Sequence, residues 1–285
     1  MEQWFLEFAG IRVCVSMPRE HSPSGKGMLA DFCVPEGSCD HTVTFRVVEE
    51  LEKPRGERVF ACHDKWIYCY GDTQLRYEGA LSECLDGAFM CIARTQTQSE
   101  VQLLKRTIPV GITPNLVMSC LEAEHLLACR GGFLLHASVI RVADRAVLFT
   151  APSGTGKSTQ AELWRCHRGA ELINGDRIAV MDGHVYGIPF CGSSAVAKNV
   201  KLPLAAIVYL SQAPENVITP LTGVRAFRKV WEGCSVNVWN REDMERVTQA
   251  VISTVSAVSV AHLACTPDER AVALLERYLK EEGAI

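Results

Sequence analysis

The segment Ala151-Pro152-Ser153-Gly154-Thr155-Gly156-Lys157-Ser158-Thr159 combines the residue types needed to hold a polyphosphate. Gly154 and Gly156 let the backbone approach anionic oxygens with no Cβ in the way. The N–H groups of Ser153, Thr155 and the helix start that follows can then point at those oxygens. Lys157 supplies a mobile positive charge for β- and γ-phosphates, and the Ser158 hydroxyl suits a magnesium ligand, with Thr159 beside it. The strict pattern G-x-x-x-x-G-K-[ST] is not met, because Ala151 stands where its first glycine belongs. The expected ligand is a nucleoside triphosphate with Mg²⁺.

Two further residues carry the chemistry such a ligand needs. Asp176, expected at the end of an apolar strand Glu171–Val180, offers a carboxylate to Mg²⁺ or to the proton of an attacking hydroxyl. His136, inside the apolar run Phe133–Ile140, offers a phosphate contact, a proton carrier or a metal ligand. A turn-rich stretch, Tyr186–Ser194, follows the acidic strand and is a candidate wall for a phosphate acceptor. Lys198, Lys201, Arg225 and Arg228 are candidate cations for charge that develops on a transferring phosphoryl group, although each taken singly reads more readily as a solvated surface charge. Arg177 is expected to pair with Asp176 or another carboxylate. Cys191 lacks a histidine near it in sequence.

The elements around these residues are mixed in type. Ala146–Thr150 is a fully apolar strand that runs straight into the glycine loop, and Gln160–Trp164 continues the loop as a helix. A strand is expected at Ala205–Leu210, and helices near Arg225–Glu232, Asp243–Ala257 and Asp268–Lys280. Upstream, Thr113-Pro114-Asn115 is expected to open one helix running to about Cys129, closed by Arg130-Gly131-Gly132. The first 110 residues read differently. Ile11–Val15, Thr42–Val47, Val59–Cys62 and Lys65–Tyr70 are short strands separated by turns, which predicts an antiparallel sheet, with Pro18–Lys26 as a loop. The expected organisation is a β-rich N-terminal domain over 1–110 and an α/β nucleotide-binding domain over 111–285.

Ser153-Gly154-x-Gly156-Lys157-Ser158 resembles the phosphate loop of the HPr serine kinases and phosphoenolpyruvate carboxykinases. Leu135-His136-Ala137-Ser138 is similar to the histidine-bearing strand that precedes that loop, and Leu172-Ile173-Asn174-Gly175-Asp176-Arg177 to the acidic strand that follows it. The resemblance covers about residues 130–215 and is closest to short HPr-kinase-like proteins. It implies an HPr-kinase-like P-loop fold and an ATP- and Mg²⁺-dependent kinase acting on a hydroxyl, serine above all, of a peptide, protein or small molecule. In that reading Asp176, His136 and Lys157 are catalytic, residues 153–159 hold the nucleotide, and Ser158 and Asp176 hold the metal. Gly175 replaces the first aspartate of the family's acidic pair, and Thr159 stands where true HPr kinases carry glutamate. The Gly175 departure keeps a second reading open, a nucleotide-dependent switch with slow hydrolysis. A carboxykinase-type lyase would need a dicarboxylate site, a second metal and a longer chain.

Composition narrows the partners. A formal net charge of −4 over 285 residues argues against nucleic acid or an anionic membrane as the ligand. No apolar run approaches the ~18–20 residues that span a bilayer, and the N-terminus lacks the basic start of a signal peptide. A cytoplasmic protein is therefore expected. The 13 cysteines include no CxxC pair, so they read as reduced thiols used as small core residues. Nothing in the sequence chooses between ATP and GTP, or between a monomer and a homo-oligomer.

Overall fold

Alternating apolar residues build the first sheet. Along β1 (Glu2–Phe8), Trp4, Leu6 and Phe8 are buried, as are Val43 and Phe45 on β3 (His41–Val48); period-2 burial of this kind leaves the other face of each strand polar. The computed structural model describes residues 1–23, 25–79, 87–107, 112–190 and 196–285. The strands β2 (Ile11–Met17), β4 (Glu57–Cys62), β5 (Lys65–Tyr70), β6 (Thr73–Gly79), β7 (Ala88–Arg94) and β8 (Gln98–Leu104) complete the sheet in the order β1-β2-β3-β8-β7-β6-β5-β4. The sheet is mixed rather than antiparallel as expected, because β3 lies parallel to both of its neighbours, β2 and β8. Arg19–His21, within the segment expected to be loop, forms a short 3-10 turn.

The single helix expected from Thr113 to about Cys129 is two: α1 (Pro114–Ser119), capped by the Thr113 hydroxyl, and α2 (Ala123–Ala128). The break falls at Glu122, whose φ of +54° is incompatible with a right-handed helix. Its carboxylate is buried against Arg76 at 2.9 Å and Arg94 at 3.3 Å. These contacts tie the segment to the first sheet. The chain accordingly divides into Met1–Glu122 and Ala123–Ile285, later than the boundary after residue 110 expected from the sequence.

In the second unit an apolar strand is buried on both faces, which gives it a continuous apolar run. That strand is β10 (Arg145–Thr150), and it lies between β9 (Phe133–Val142), antiparallel, and β14 (Lys201–Gln212), parallel. Val147 and Phe149 face one core with Trp164 of α3 (Lys157–Arg168) and Val272, Leu275 and Leu279 of α6 (Glu269–Glu281). Ala146 and Leu148 face the other, with Ala226 and Val230 of α4 (Gly223–Trp231) and Val247 and Val251 of α5 (Arg241–Ala257). The result is an α/β layer with helices on both faces. The remaining strands are β11 (Glu171–Asn174), β12 (Arg177–Met181), β13 (His184–Tyr186), β15 (Val217–Pro220), β16 (Cys234–Ser235) and β17 (Ser259–Cys265), the last parallel to β14. Among the described residues no helix is long and apolar enough to cross a membrane.

Trp164 is fully buried, yet its indole N–H has no partner. Trp164→Ala should destabilise by about 3–5 kcal/mol. Trp164→Phe should cost within about 1 kcal/mol, because the smaller ring also removes an orphaned donor. Denaturant midpoints at constant slope would check both.

Candidate functional site

β9 changes both of its neighbours at one point. Residues 133–136 pair with β12, and Leu134 and Leu135 also with β16; from Ala137 onward the partners are β10 and, from Val139, β11. Two consequences follow on the two sides of the strand. On one side β10 ends at Thr150, opposite Ala137, and the chain leaves as the glycine loop. On the other, the strand expected over Glu171–Val180 is interrupted at Gly175-Asp176, between β11 and β12. A crevice forms where the strands part, the same physical reason ligands sit at switch points of α/β sheets, and His136 lies at that point.

Hydrogen bonds satisfy the backbone at the break. The His136 N–H donates to Gly233 O at 2.8 Å, Thr150 Oγ1 donates to His136 O at 3.0 Å, and the Ala137 N–H donates to Asp176 O at 2.9 Å. Ser138 Oγ donates to Gly175 O at 3.1 Å. Asn174, fully buried, holds the turn: its Oδ1 accepts from the N–H groups of Asp176 (2.8 Å) and Arg177 (3.0 Å), and its Nδ2 donates to Ile188 O and Phe190 O. An asparagine closing a turn two residues on is a recognisable local signal, although sequence analysis did not assign it a role. Asn174→Ala should destabilise by about 2–4 kcal/mol, from about 1–3 kcal/mol per buried group left unpaired, seen as a lower denaturant midpoint.

The glycine loop is built as its residue types require. Gly154 has φ +78° and Gly156, the residue capping α3, has φ +117°; a side chain at either would be strained, so both glycines are needed for their backbone conformation. The Lys157 ammonium folds back onto the loop, donating to Ala151 O at 2.9 Å and Pro152 O at 3.3 Å. Burial pulls its pKa below the ordinary lysine value, against the opposing pull of the Asp176 charge. Asp176 Oδ1 lies 3.3 Å from His136 Nε2, and Oδ2 lies 3.6 Å from Arg177 Nε. The hydrogen bond from His136 holds the Asp176 carboxyl below the usual carboxylate range; burial opposes this, and the charges of His136, Arg177 and Lys157 add to it.

His136, Ser153, Gly154, Gly156, Lys157, Ser158, Thr159, Gly175 and Asp176 line one cavity of about 310 Å³. Thr155, the other loop residue expected at the site, lines a second cavity of about 630 Å³, together with Gln160, Leu210, Gln212, Ala213, Cys265 and Pro267. Gly154, Gly156 and Thr159 belong to both. The smaller cavity is polar and cation-bearing, and the larger is mostly apolar with amide side chains at its wall. Both volumes fall in the range of small-molecule sites. Apart from the loop residues and Gln160 of α3, the larger cavity is lined from the ends of β14 and β17, by residues that no motif in the sequence marks.

The other candidate cations are engaged elsewhere. Lys198 pairs with Glu171, Arg228 with Glu232, and Lys201 lies 5.3 Å over the Tyr186 ring. With Arg225, none is among the described residues lining the 310 Å³ cavity. Arg177 bridges Asp176 and Glu124 and lies 5.2 Å over the Phe190 ring. Of the turn-rich stretch, Tyr186–Phe190 is described and Cys191–Ser194 lies outside the described residues. Gly187 is fixed by close approach, since a Cβ there would fall 1.7 Å from Lys198 O.

No family model matches the sequence, and no curated protein does. Among solved structures, the chain is similar to the HPr(Ser) kinase/phosphatase from Coxiella burnetii. The match has 12% identity and a TM-score of 0.28, and covers 52% of this chain and 98% of that one. At that identity and superposition it carries no statement about chemistry.

Proposed function

We propose that this chain is an ATP-dependent kinase that transfers the γ-phosphate to a hydroxyl, serine above all, of a peptide, protein or small molecule. The observation that carries this reading is the shared lining of the 310 Å³ cavity: the glycine loop, Lys157, Ser158 and the His136–Asp176 pair all face one space. That space adjoins, through Gly154, Gly156 and Thr159, a larger apolar one suited to a nucleoside. In this reading the loop N–H groups and Lys157 hold the β- and γ-phosphates. Asp176, whose carboxyl the His136 hydrogen bond holds below the usual carboxylate range, would orient the acceptor hydroxyl and take its proton late in the transfer.

The donor set fits magnesium. The Ser158 hydroxyl and the Asp176 carboxylate are hard oxygen ligands on the same cavity, and an ion held by one or two protein groups with phosphates and waters is how Mg²⁺ ordinarily binds. Magnesium bound there would neutralise charge on the β- and γ-oxygens. Orientation and charge neutralisation supply most of the catalysis in such transfers, so a single carboxylate suffices for the proton.

One observation favours a second reading, a nucleotide-dependent switch with slow hydrolysis: Gly175 lines the cavity beside Asp176 and brings no carboxylate to it. The two readings separate in one experiment. The full chain is incubated with ATP labelled at the γ-phosphate, Mg²⁺, and a panel of serine, serine-containing peptides and fractionated cell extract. Phosphoserine formed by the parent and lost in Asp176→Asn supports the kinase. Free phosphate alone across the panel supports the switch.

A further inference from the structure

A second constellation of reactive groups lies in the same unit, on other elements. His125 and Cys129 sit four residues apart on α2 and its C-terminal extension, where the Cys129 N–H still donates to His125 O at 2.9 Å. This spacing puts both side chains on one face. Cys129 Sγ is 3.6 Å from His125 Nε2. The other ring nitrogen, Nδ1, lies 2.9 Å and 3.0 Å from the two carboxylate oxygens of Asp243, in the first turn of α5. Asp243 is 1% exposed and held by a hydrogen bond from Asn237 Nδ2 at 3.2 Å. A carboxylate on Nδ1 orients the ring, and the thiol lies beside it, 3.6 Å from Nε2 and 4.0 Å from Nδ1, a grouping of nucleophile, base and orienting acid. Arg246 adds a cation, with Nη1 3.5 Å from the sulfur.

We propose that Cys129 is an activated thiolate, with His125 as its base, Asp243 as a positioning residue for His125 and Arg246 as a counter-cation, and that it takes small disulfides as its electrophile. Unlike the buried Cys91 and Cys120, Cys129 is exposed. It lines, with Arg246, Gln249 and Ser253, a cavity of about 530 Å³ that gives a small molecule access. His125 removes the Cys129 proton, the thiolate attacks one sulfur of the disulfide, and the S–S bond of the small molecule breaks as the new S–S bond forms. His125 then returns the proton to the departing thiolate, so one disulfide and one thiol enter and one mixed disulfide and one thiol leave. The same three residues also present N, S and O donors within 4.8 Å of one another, the spacing of a metal site. Arg246 argues against that use, since its guanidinium is also 3.9 Å from Asp243 Oδ1 and would repel a cation.

The test uses the intact chain and its own cysteines as controls. Iodoacetamide is added at limiting concentration between pH 5.5 and 8.5, and each cysteine's rate is read by peptide mass spectrometry. Charged neighbours that shape the profile are Arg246, Glu242 and Asp243 on α5, His125 on α2, Arg130 after it, and Asp182 across the cavity. At pH 6.5 an ordinary thiol is about 1% thiolate, from a pKa near ~8.5, so Cys129 should react at least about tenfold faster than exposed Cys62, and by a wider margin than Cys69, whose thiol burial pushes up, and Cys166, whose thiol the Glu162 carboxylate pushes up. His125→Ala and Arg246→Gln should each lower its rate at pH 6.5 by about threefold or more while leaving the three control cysteines unchanged and buried Cys265 protected, the latter reporting that the fold of the same unit is intact. Oxidised glutathione should give one mixed disulfide mapping to Cys129. The proposal is overturned if Cys129 reacts no faster than the controls. It is equally overturned if a chelator accelerates it and zinc protects it, the result of a metal site.

Discussion

Lys157→Ala is expected to weaken triphosphate binding by about tenfold to a hundredfold, from the ~1.5–3 kcal/mol of a charge-assisted hydrogen bond, and to reduce phosphate transfer to background. Transfer should fall further than binding, because the charge that shifts onto the bridging and β-phosphate oxygens in the transition state lies where this cation sits. The fold should survive. Lys157 is 7% exposed, and burial lowers its pKa, so the ammonium is less favoured in the folded chain than in the unfolded one. Its charge therefore opposes folding at neutral pH, and that cost fades as pH rises through the lowered folded pKa toward the unfolded value. Lys157→Met, which keeps the apolar stem, should hold the thermal midpoint near the parental one while losing the same binding. Calorimetric titration with ATP and Mg²⁺ beside a thermal melt would decide; a parental affinity in both variants rejects the phosphate-loop reading.

Asp176→Asn is expected to leave nucleotide affinity within a few-fold of parental and to lower transfer by at least about two orders of magnitude, the usual scale for an acid–base or charge-stabilising group. Asparagine keeps an oxygen opposite His136 Nε2, 3.3 Å away in the parent, and removes the charge and the oxygen facing Arg177. The pH dependence has a definite sign. The carboxyl pKa is lowered in the folded chain, chiefly by the His136 hydrogen bond. Its contribution to stability is thus fully present above the unfolded aspartate value near ~3.9 and is lost as pH falls through the lower folded value. Acid unfolding of the parent and of Asp176→Asn should diverge above that window and converge below it. Single-turnover chemistry measured with saturating nucleotide would test the catalytic half. Near-parental chemistry would make Asp176 structural and move the proton's acceptor elsewhere.

The features legible in the sequence are those set by near neighbours along the chain. The run Ala146–Thr150 reads as a buried strand because its first four residues are apolar, and in the fold both of its faces are covered. Gly154 and Gly156, legible as points of close backbone approach to an anion, also adopt positive φ. The last helix begins where Asp268 caps Ala271, within a residue of expectation. The failures have equally physical causes. The helix expected through Cys129 breaks at Glu122, because two buried arginines on distant strands hold its carboxylate in a left-handed conformation. The parallel pairings of β3 escaped notice because strand direction leaves no trace in the alternation of apolar residues.

By itself, the sequence determined the place of the glycine loop, the α/β character of the second unit and the presence of a histidine and an aspartate on flanking apolar segments. Only the tertiary structure decided that His136 and Asp176 meet. It did so by parting both neighbours of β9 at one residue, a matter of register that no local pattern encodes. The same holds for the 630 Å³ cavity between Gly154, Leu210 and Pro267 and for the contact of His125 with Asp243. Those residues lie far apart in the chain. Their proximity depends on which strands pair and which helices cover them, and hence on the burial of the whole apolar core rather than on any local preference.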